Sequence, residues 1–237
     1  MRRALIACAT AAILLAVHAP TARSEGINLS WDDCGNFGVE NKAFACDANN
    51  AVFTLVASFI RDAPDSAYTI VGTLAFDAGP VAFPDWWRFP DNSPTSSSPG
   101  ACQDSGNFLH DDGQMTSCPT IIVDPETVGG YGWSSVGGTA VFNFGISTAS
   151  LTKGFVSAGV EYAYLRLILT PTRTTGPGAC GGCGTPMTIT LTRAVLVREP
   201  MNYEINEPAD GNVVTWEGPP TPVLPATWGM VKRLYRS

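Results

Sequence analysis

An all-β fold, an antiparallel β-sandwich of jelly-roll type with long disulfide-stapled loops and a short C-terminal helix, is what the sequence predicts, and three observations predict it. Runs rich in β-branched and aromatic residues recur between clusters of Gly, Pro, Asn and Asp. One of these runs alternates apolar and polar residues with the period of a strand that has one face in a core. Six cysteines remain once an export signal is set aside, an even number that reads as three bridges in an oxidising compartment.

The export signal comes first in the chain. Arg2 and Arg3 form a basic start, Ala4 to Ala19 an apolar stretch ended by Pro20, and Ala22-Arg23-Ser24 a small-x-small cleavage site. Residues 1–24 therefore read as a secretory signal peptide, too short to anchor in a membrane, and Cys8 reads as an ordinary residue of it. Cleavage leaves 11 basic against 21 acidic residues, a net charge of −10. That balance argues against nucleic acid as a partner, and the roughly 213 remaining residues suffice for one sandwich-sized core.

Five strands are predicted, at 51–60, 68–77, 138–147, 160–171 and 186–198. In the last, Met187, Ile189 and Leu191 alternate with Thr188, Thr190 and Thr192, and the alternation switches near Arg193, which predicts a bulge there. The 160–171 run is apolar on nearly both faces, as a strand covered on each side would be. Residues 78–137 are loop-rich, with TSSSPG at 95–100, a connection too long to be a bare link.

Spacing alone allows 15 pairings of Cys34, Cys46, Cys102, Cys118, Cys180 and Cys183. The expectation adopted is sequential, 34–46, 102–118 and 180–183, each staple closing one loop. The C-G-G-C at 180–183 precedes a strand rather than a helix, which argues against a thioredoxin-like redox centre. With one histidine outside the signal peptide, it also lacks the partners of a zinc site. It reads as a clamp at the tip of a hairpin.

Candidate chemistry is sparse. His110, in NFLHDDGQ, has no G-x-S-x-G elbow to serve. Glu161, a charge within an apolar strand, must face solvent, a site, or an arginine such as Arg193 or Arg198. No E-x-D-x-x-E pair marks a glycosidase. The loops WDDCGNFG (31–38), CDANN (46–50) and DDGQ (111–114) offer oxygen ligands for calcium, with Asp111 and Asp112 the candidate ligands, though none fits the EF-hand pattern. Calcium is thus a possible cofactor and no other is expected. In FPDWWRFP (83–90), Trp86 and Trp87 as neighbours on a strand would point to opposite faces. One exposed beside Asp85 and Arg88, with Trp133 nearby, would make a stacking platform for carbohydrate.

After a Pro-rich linker at 218–226, residues 227–237 predict a short amphipathic helix capped by Thr227. Trp228, Val231 and Leu234 or Tyr235 lie on one side, and Lys232, Arg233 and Arg236 on the other. The β-sandwich domain is accordingly assigned to 25–217. The Cys34/Cys46 pair, PDWW at 84–87, CGGC at 180–183 and VTWEG (214–218) followed by ATWGMVKRLYR (226–236) resemble a group of secreted bacterial proteins that end in a W-G-x-[VI]-K-x-[LM]-Y-R tail. The resemblance implies export and a terminal handle and brings no catalytic residue.

Three readings of function follow. The leading one is an exported non-catalytic module engaging extracellular glycan through Trp86, Trp87 and Trp133. The alternative is a self-associating cell-surface or filament protein that binds another copy of itself, its tail helix docking on the neighbour. The third is a secreted hydrolase with acidic residues in the 101–118 loop or Glu161.

Overall fold

A computed structural model describes residues 24–90, 101–103, 108–109, 116–121, 127–148 and 153–217. Residues 1–23 of the predicted signal peptide, His110, Asp111, Asp112, the 95–100 segment, the Pro-rich linker and the predicted C-terminal helix lie outside the described residues.

Two sheets face each other. The smaller orders β1 (Gly26–Trp31), β3 (Phe53–Ile60), β10 (Glu161–Leu169) and β6 (Phe108–Leu109), all antiparallel. The larger runs β2 (Asn41–Ala43), β13 (Val213–Glu217), β11 (Met187–Val197), β5 (Thr69–Asp77), β8 (Thr139–Thr148) and β7 (Thr127–Val136), with β12 (Tyr203–Ile205) beside the second half of β11. Among the described strands, only β2 and β13 pair in parallel. A small ribbon joins β4 (Asp65–Ala67) to β9 (Gly154–Val156). The architecture is an antiparallel β-sandwich, as two sheets each with an apolar inner face must be.

The five predicted strands appear as β3, β5, β8, β10 and β11, within three residues of the expected bounds. In β11 the register slips between Leu191 and Arg193, where the alternation changes. Two-sided burial of β10 has a visible cause: a second small cluster of Cys34, Val56, Cys118 and Ala163 covers the outer face of its sheet. Between the sheets, aromatic rings dominate. Trp31, Phe44, Phe53, Trp86, Trp87 and Trp216 form one contiguous group, and Phe76, Phe83, Phe89, Trp133 and Phe142 another beside it.

The bridges are Cys34–Cys118, Cys46–Cys183 and Cys102–Cys180, not the sequential set. The reason is convergence of remote loops. The 101–103 segment and the 46–50 loop both reach the C-G-G-C tip, which therefore anchors two different segments instead of closing on itself. Trp86 N donates to Gly181 O at 3.0 Å, and Asn49 Oδ1 accepts from the Thr174 and Thr175 amides at 3.0 and 2.8 Å. Gln103 Nε2 donates to Trp86 O at 2.7 Å, and its Oε1 accepts from Thr170 N at 2.9 Å. Gly182 has φ +96°, and a Cβ there would collide with Pro84, so the tip depends on glycine at that position.

Candidate functional site

The stacking platform expected at 83–90 is not there. Residues 85–87 form a 3-10 turn rather than a strand, so Trp86 and Trp87 both turn inward, 1% and 0% exposed. Trp133 is buried as well. Trp86 Nε1 donates to Thr174 Oγ1 at 2.9 Å, which ties the indole to the loop after β10. Arg88 pairs with Asp85 at 3.1 Å across one turn, and its Nη2 donates to Phe83 O, so the polar residues of this stretch hold the turn shut. The physical reason is the missing tertiary term: two adjacent indoles on a one-turn helix can share one side, and burying both removes far more apolar area from water than exposing either.

Glu161 is enclosed by hydrogen-bond donors of its own sheet. Its Oε1 accepts from Ser58 Oγ at 2.6 Å, on the adjacent strand β3, and from Asn28 Nδ2 at 2.7 Å, on β1 one strand further across the same sheet. Asn28 Oδ1 in turn accepts from the amides of Asp210 and Gly211 at 2.8 and 3.2 Å. Gly35, at φ +44°, lies over the carboxylate so closely that any Cβ would strike it. Arg198, just past β11, meets Asp65 at 3.3 Å, and Arg193, on the other sheet, donates to Thr73 Oγ1 at 3.2 Å. This is a polar pin joining β1, β3, β10 and the 207–211 segment, since a buried carboxylate with donors converging on it stays put.

The acidic loop at 31–38 spends its oxygens on the protein. Asp33 accepts from the Cys34 and Ser117 amides and from Ser117 Oγ, at 2.8, 2.7 and 2.6 Å, while Asp32 pairs with Lys42. These bonds and the Cys34–Cys118 bridge fasten the loop to the 116–118 segment. Among the described residues no group of three or more His, Cys, Asp or Glu side chains gathers as a metal-ligand set. No helix among them is long and apolar enough to cross a membrane.

Two surface features remain. The first is a pair of grooves beside the end of β13. One, about 330 Å³, is lined by Asp77, Thr188, Thr215 and Glu217 among others. The other, about 180 Å³, lies between Phe44, Ala45, Ala48, Phe53 and Pro171, with Asp47 on its wall.

The second is the edge strand β7, T-V-G-G-Y-G-W-S-S-V, which pairs with β8 on one side and, among the described residues, with no strand on the other. Tyr131 and Trp133 point inward, opposite Phe144 and Phe142, while Gly130, Gly132 and Ser134 point out and are exposed. Val128 and Val136, on that same outward side, are 62% and 82% exposed. Sequence reasoning missed this strand because its glycines depress β-propensity, although the alternation of Tyr131 and Trp133 was a usable signal.

No protein-family model matches the chain, and no curated protein sequence matches it. Among solved structures the chain is similar to a cohesin module of a family 33 glycoside hydrolase from Clostridium perfringens, at 7% identity and TM-score 0.37 over 82% of this chain and 98% of that one. It is also similar to the sixth cohesin of Acetivibrio cellulolyticus scaffoldin B, solved with a Cel5 dockerin, at 13% identity and TM-score 0.32 over 81% and 98% of the two chains. The seventh ScaB type I cohesin of Pseudobacteroides cellulosolvens follows at 10% identity and TM-score 0.31, over 84% and 96%. Likeness of this degree carries no inference, and the sandwich is read from its own strand pairing.

Proposed function

We propose that the chain is an exported, non-catalytic sandwich of jelly-roll type that associates with a second copy of itself by pairing β7 with β7. Three bridges fit an oxidising, extracellular compartment. The observation that carries the reading is an edge with no further strand beside it among the described residues. β7 spans ten residues without a charge or a proline, the two devices that ordinarily keep an edge from pairing. At about 3.4 Å per residue it offers some 34 Å of backbone donors and acceptors. Antiparallel pairing of identical edges is self-complementary and closes as a two-fold dimer, with one sheet running through both copies. The Val128 and Val136 side chains, exposed in the single chain, would be partly covered there.

Lysines at Gly130 and Gly132 test this. Neither glycine has a positive φ, and a Cβ at either meets open space, so Gly130→Lys with Gly132→Lys leaves the fold intact. In the dimer the added charges would face their symmetry mates across the new pairing. Sedimentation velocity should show a dimer for the mature wild type and a monomer for the double variant. A wild type that stays monomeric at high concentration, or a variant that dimerises equally well, refutes the proposal. Glycan binding, the competing reading, loses its platform with the enclosure of Trp86, Trp87 and Trp133, and retarded migration in polysaccharide gels would restore it.

A further inference from the structure

We infer that the C-terminal tail of the chain, residues 227–237, folds back into the apolar groove between Phe44, Ala48 and Pro171 of its own sandwich. Three observations converge on this occupant.

The first is where the chain leaves the fold. β13 ends at Glu217, which pairs with Ala43 of the parallel strand β2. Because the two strands run in the same direction, both end on the same side of the sheet, with Glu217 beside Ala43, itself a lining residue of the groove. Residues 44–48, which follow Ala43, form one wall of the groove. The last described residue before the tail's linker thus lies near the groove, not across the molecule from it.

The second is length. Residues 218–226 make a nine-residue linker with four prolines. At about 3.1 Å per residue an extended Pro-rich linker reaches some 28 Å, ample for Trp228 to return to a groove that begins beside residue 217. A linker this short also holds the tail near the groove at an effective concentration on the order of millimolar, which favours the same chain over a neighbour.

The third is chemistry. The groove has apolar walls, Phe44, Phe53, Ala48 and Pro171, and an exposed carboxylate, Asp47, on one side. Residues 25–217 carry 8 basic and 21 acidic residues, whereas 218–237 carry Lys232, Arg233 and Arg236 and no acid. A tail with an apolar side (Trp228, Val231, Leu234) and a basic side matches a groove with an apolar floor in an acidic domain. A segment this short gains little helical stability alone and needs such a surface.

Trypsin reads the docking directly, since Lys232, Arg233 and Arg236 are its targets. The mature full-length protein is digested beside two variants, Trp228→Ala, which removes the apolar anchor, and Ala48→Arg, which fills the groove and repels the basic side. Release of the C-terminal peptides, followed by mass, should be at least about tenfold faster in both variants, equivalent to about 1.4 kcal/mol of lost docking. The wild-type rate should not change with protein concentration. Equal release from all three proteins overturns the inference. So does protection that grows with concentration, which would assign the groove to a neighbour's tail. The thermal midpoint of each variant, measured in parallel, separates loss of docking from loss of fold. A β7 variant that stays monomeric yet retains protection keeps this inference independent of self-association.

Discussion

Removing the Cys46–Cys183 bridge with Cys46→Ala and Cys183→Ala is the perturbation whose size follows most directly from the connectivity. The bridge spans 137 residues in sequence. In the chain-entropy model a loop of that length restricts the unfolded chain by about 5 kcal/mol. The other two bridges shorten the loop, however. A path from residue 46 back to Cys34, across to Cys118, back to Cys102 and across to Cys180 leaves only about 33 residues, and the value falls to about 4 kcal/mol. Equilibrium urea unfolding of the oxidised protein should therefore show a loss of about 4 kcal/mol. The thiol count supplies a second readout. With the observed pairing the double variant, produced as residues 25–237, has no free thiol, because both partners of one bridge are gone. With sequential pairing it would strand Cys34 and Cys180 as two free thiols. Two thiols per chain under denaturing titration, or a stability loss below about 2 kcal/mol, would refute the reasoning.

Two further outcomes follow from buried polar groups. Glu161→Ala leaves Ser58 Oγ and Asn28 Nδ2 without their acceptor inside the protein, and should cost about 3 kcal/mol in urea unfolding, with Glu161→Gln losing less because it keeps an acceptor oxygen. Equal losses in the two variants would show that charge, not hydrogen bonding, holds the pin. Tyr164 is fully buried with a hydroxyl that has no partner among the described residues, and burial pushes its phenol well above the ordinary value of 10. The folded state therefore resists deprotonation, so this group leaves stability unchanged below pH 10 and lowers it as pH rises beyond that value. Tyr164→Phe should raise stability by about 1 kcal/mol at neutral pH and flatten the alkaline decline, both read from urea midpoints across pH. Tyr203, raised chiefly by its hydrogen bond to Glu25 and secondarily by desolvation, adds to that decline in the same direction and remains in the variant.

The strands legible in the sequence were those in which apolar content and period agree. β3, β5, β8, β10 and β11 each carry eight or more residues of that kind, and the switch at Arg193 in β11 was visible because a bulge must reset alternation. β7 and β13 were not legible. One is diluted by glycine, and the other is five residues long with Trp216 as its main apolar signal. Bridge connectivity was beyond reach for a different reason. Cys102 lies 16 residues from Cys118 and 78 from Cys180, yet loop folding brings it to the more distant partner, and no spacing encodes that. Trp86 and Trp87 do not follow the period of a strand because they lie in a single 3-10 turn. Glu161 was singled out correctly as an unusual charge in an apolar strand, but its partners come from strands whose register only the fold reveals.

The edges of the two sheets are treated unequally, and that inequality decides what kind of assembly the bare edge supports. β1 is sealed by the 207–211 segment: Ile27 N donates to Glu207 O at 2.9 Å, Leu29 N to Gly211 O at 2.8 Å, and Ala209 N returns to Ile27 O at 3.1 Å. β2 is three residues long, pairs in parallel, and carries Lys42 locked to Asp32 and over the Phe44 ring. Either device is enough to stop a strand from recruiting another. β7 has neither. Open-ended growth would need a second edge complementary to it, so that each copy offers one edge and accepts the other. β2 is too short and too charged to be that complement, and a tail docked beside it would obstruct it further. In the association proposed for it, β7 would therefore pair with its own symmetry mate, and growth would stop at a closed pair instead of continuing into a fibre.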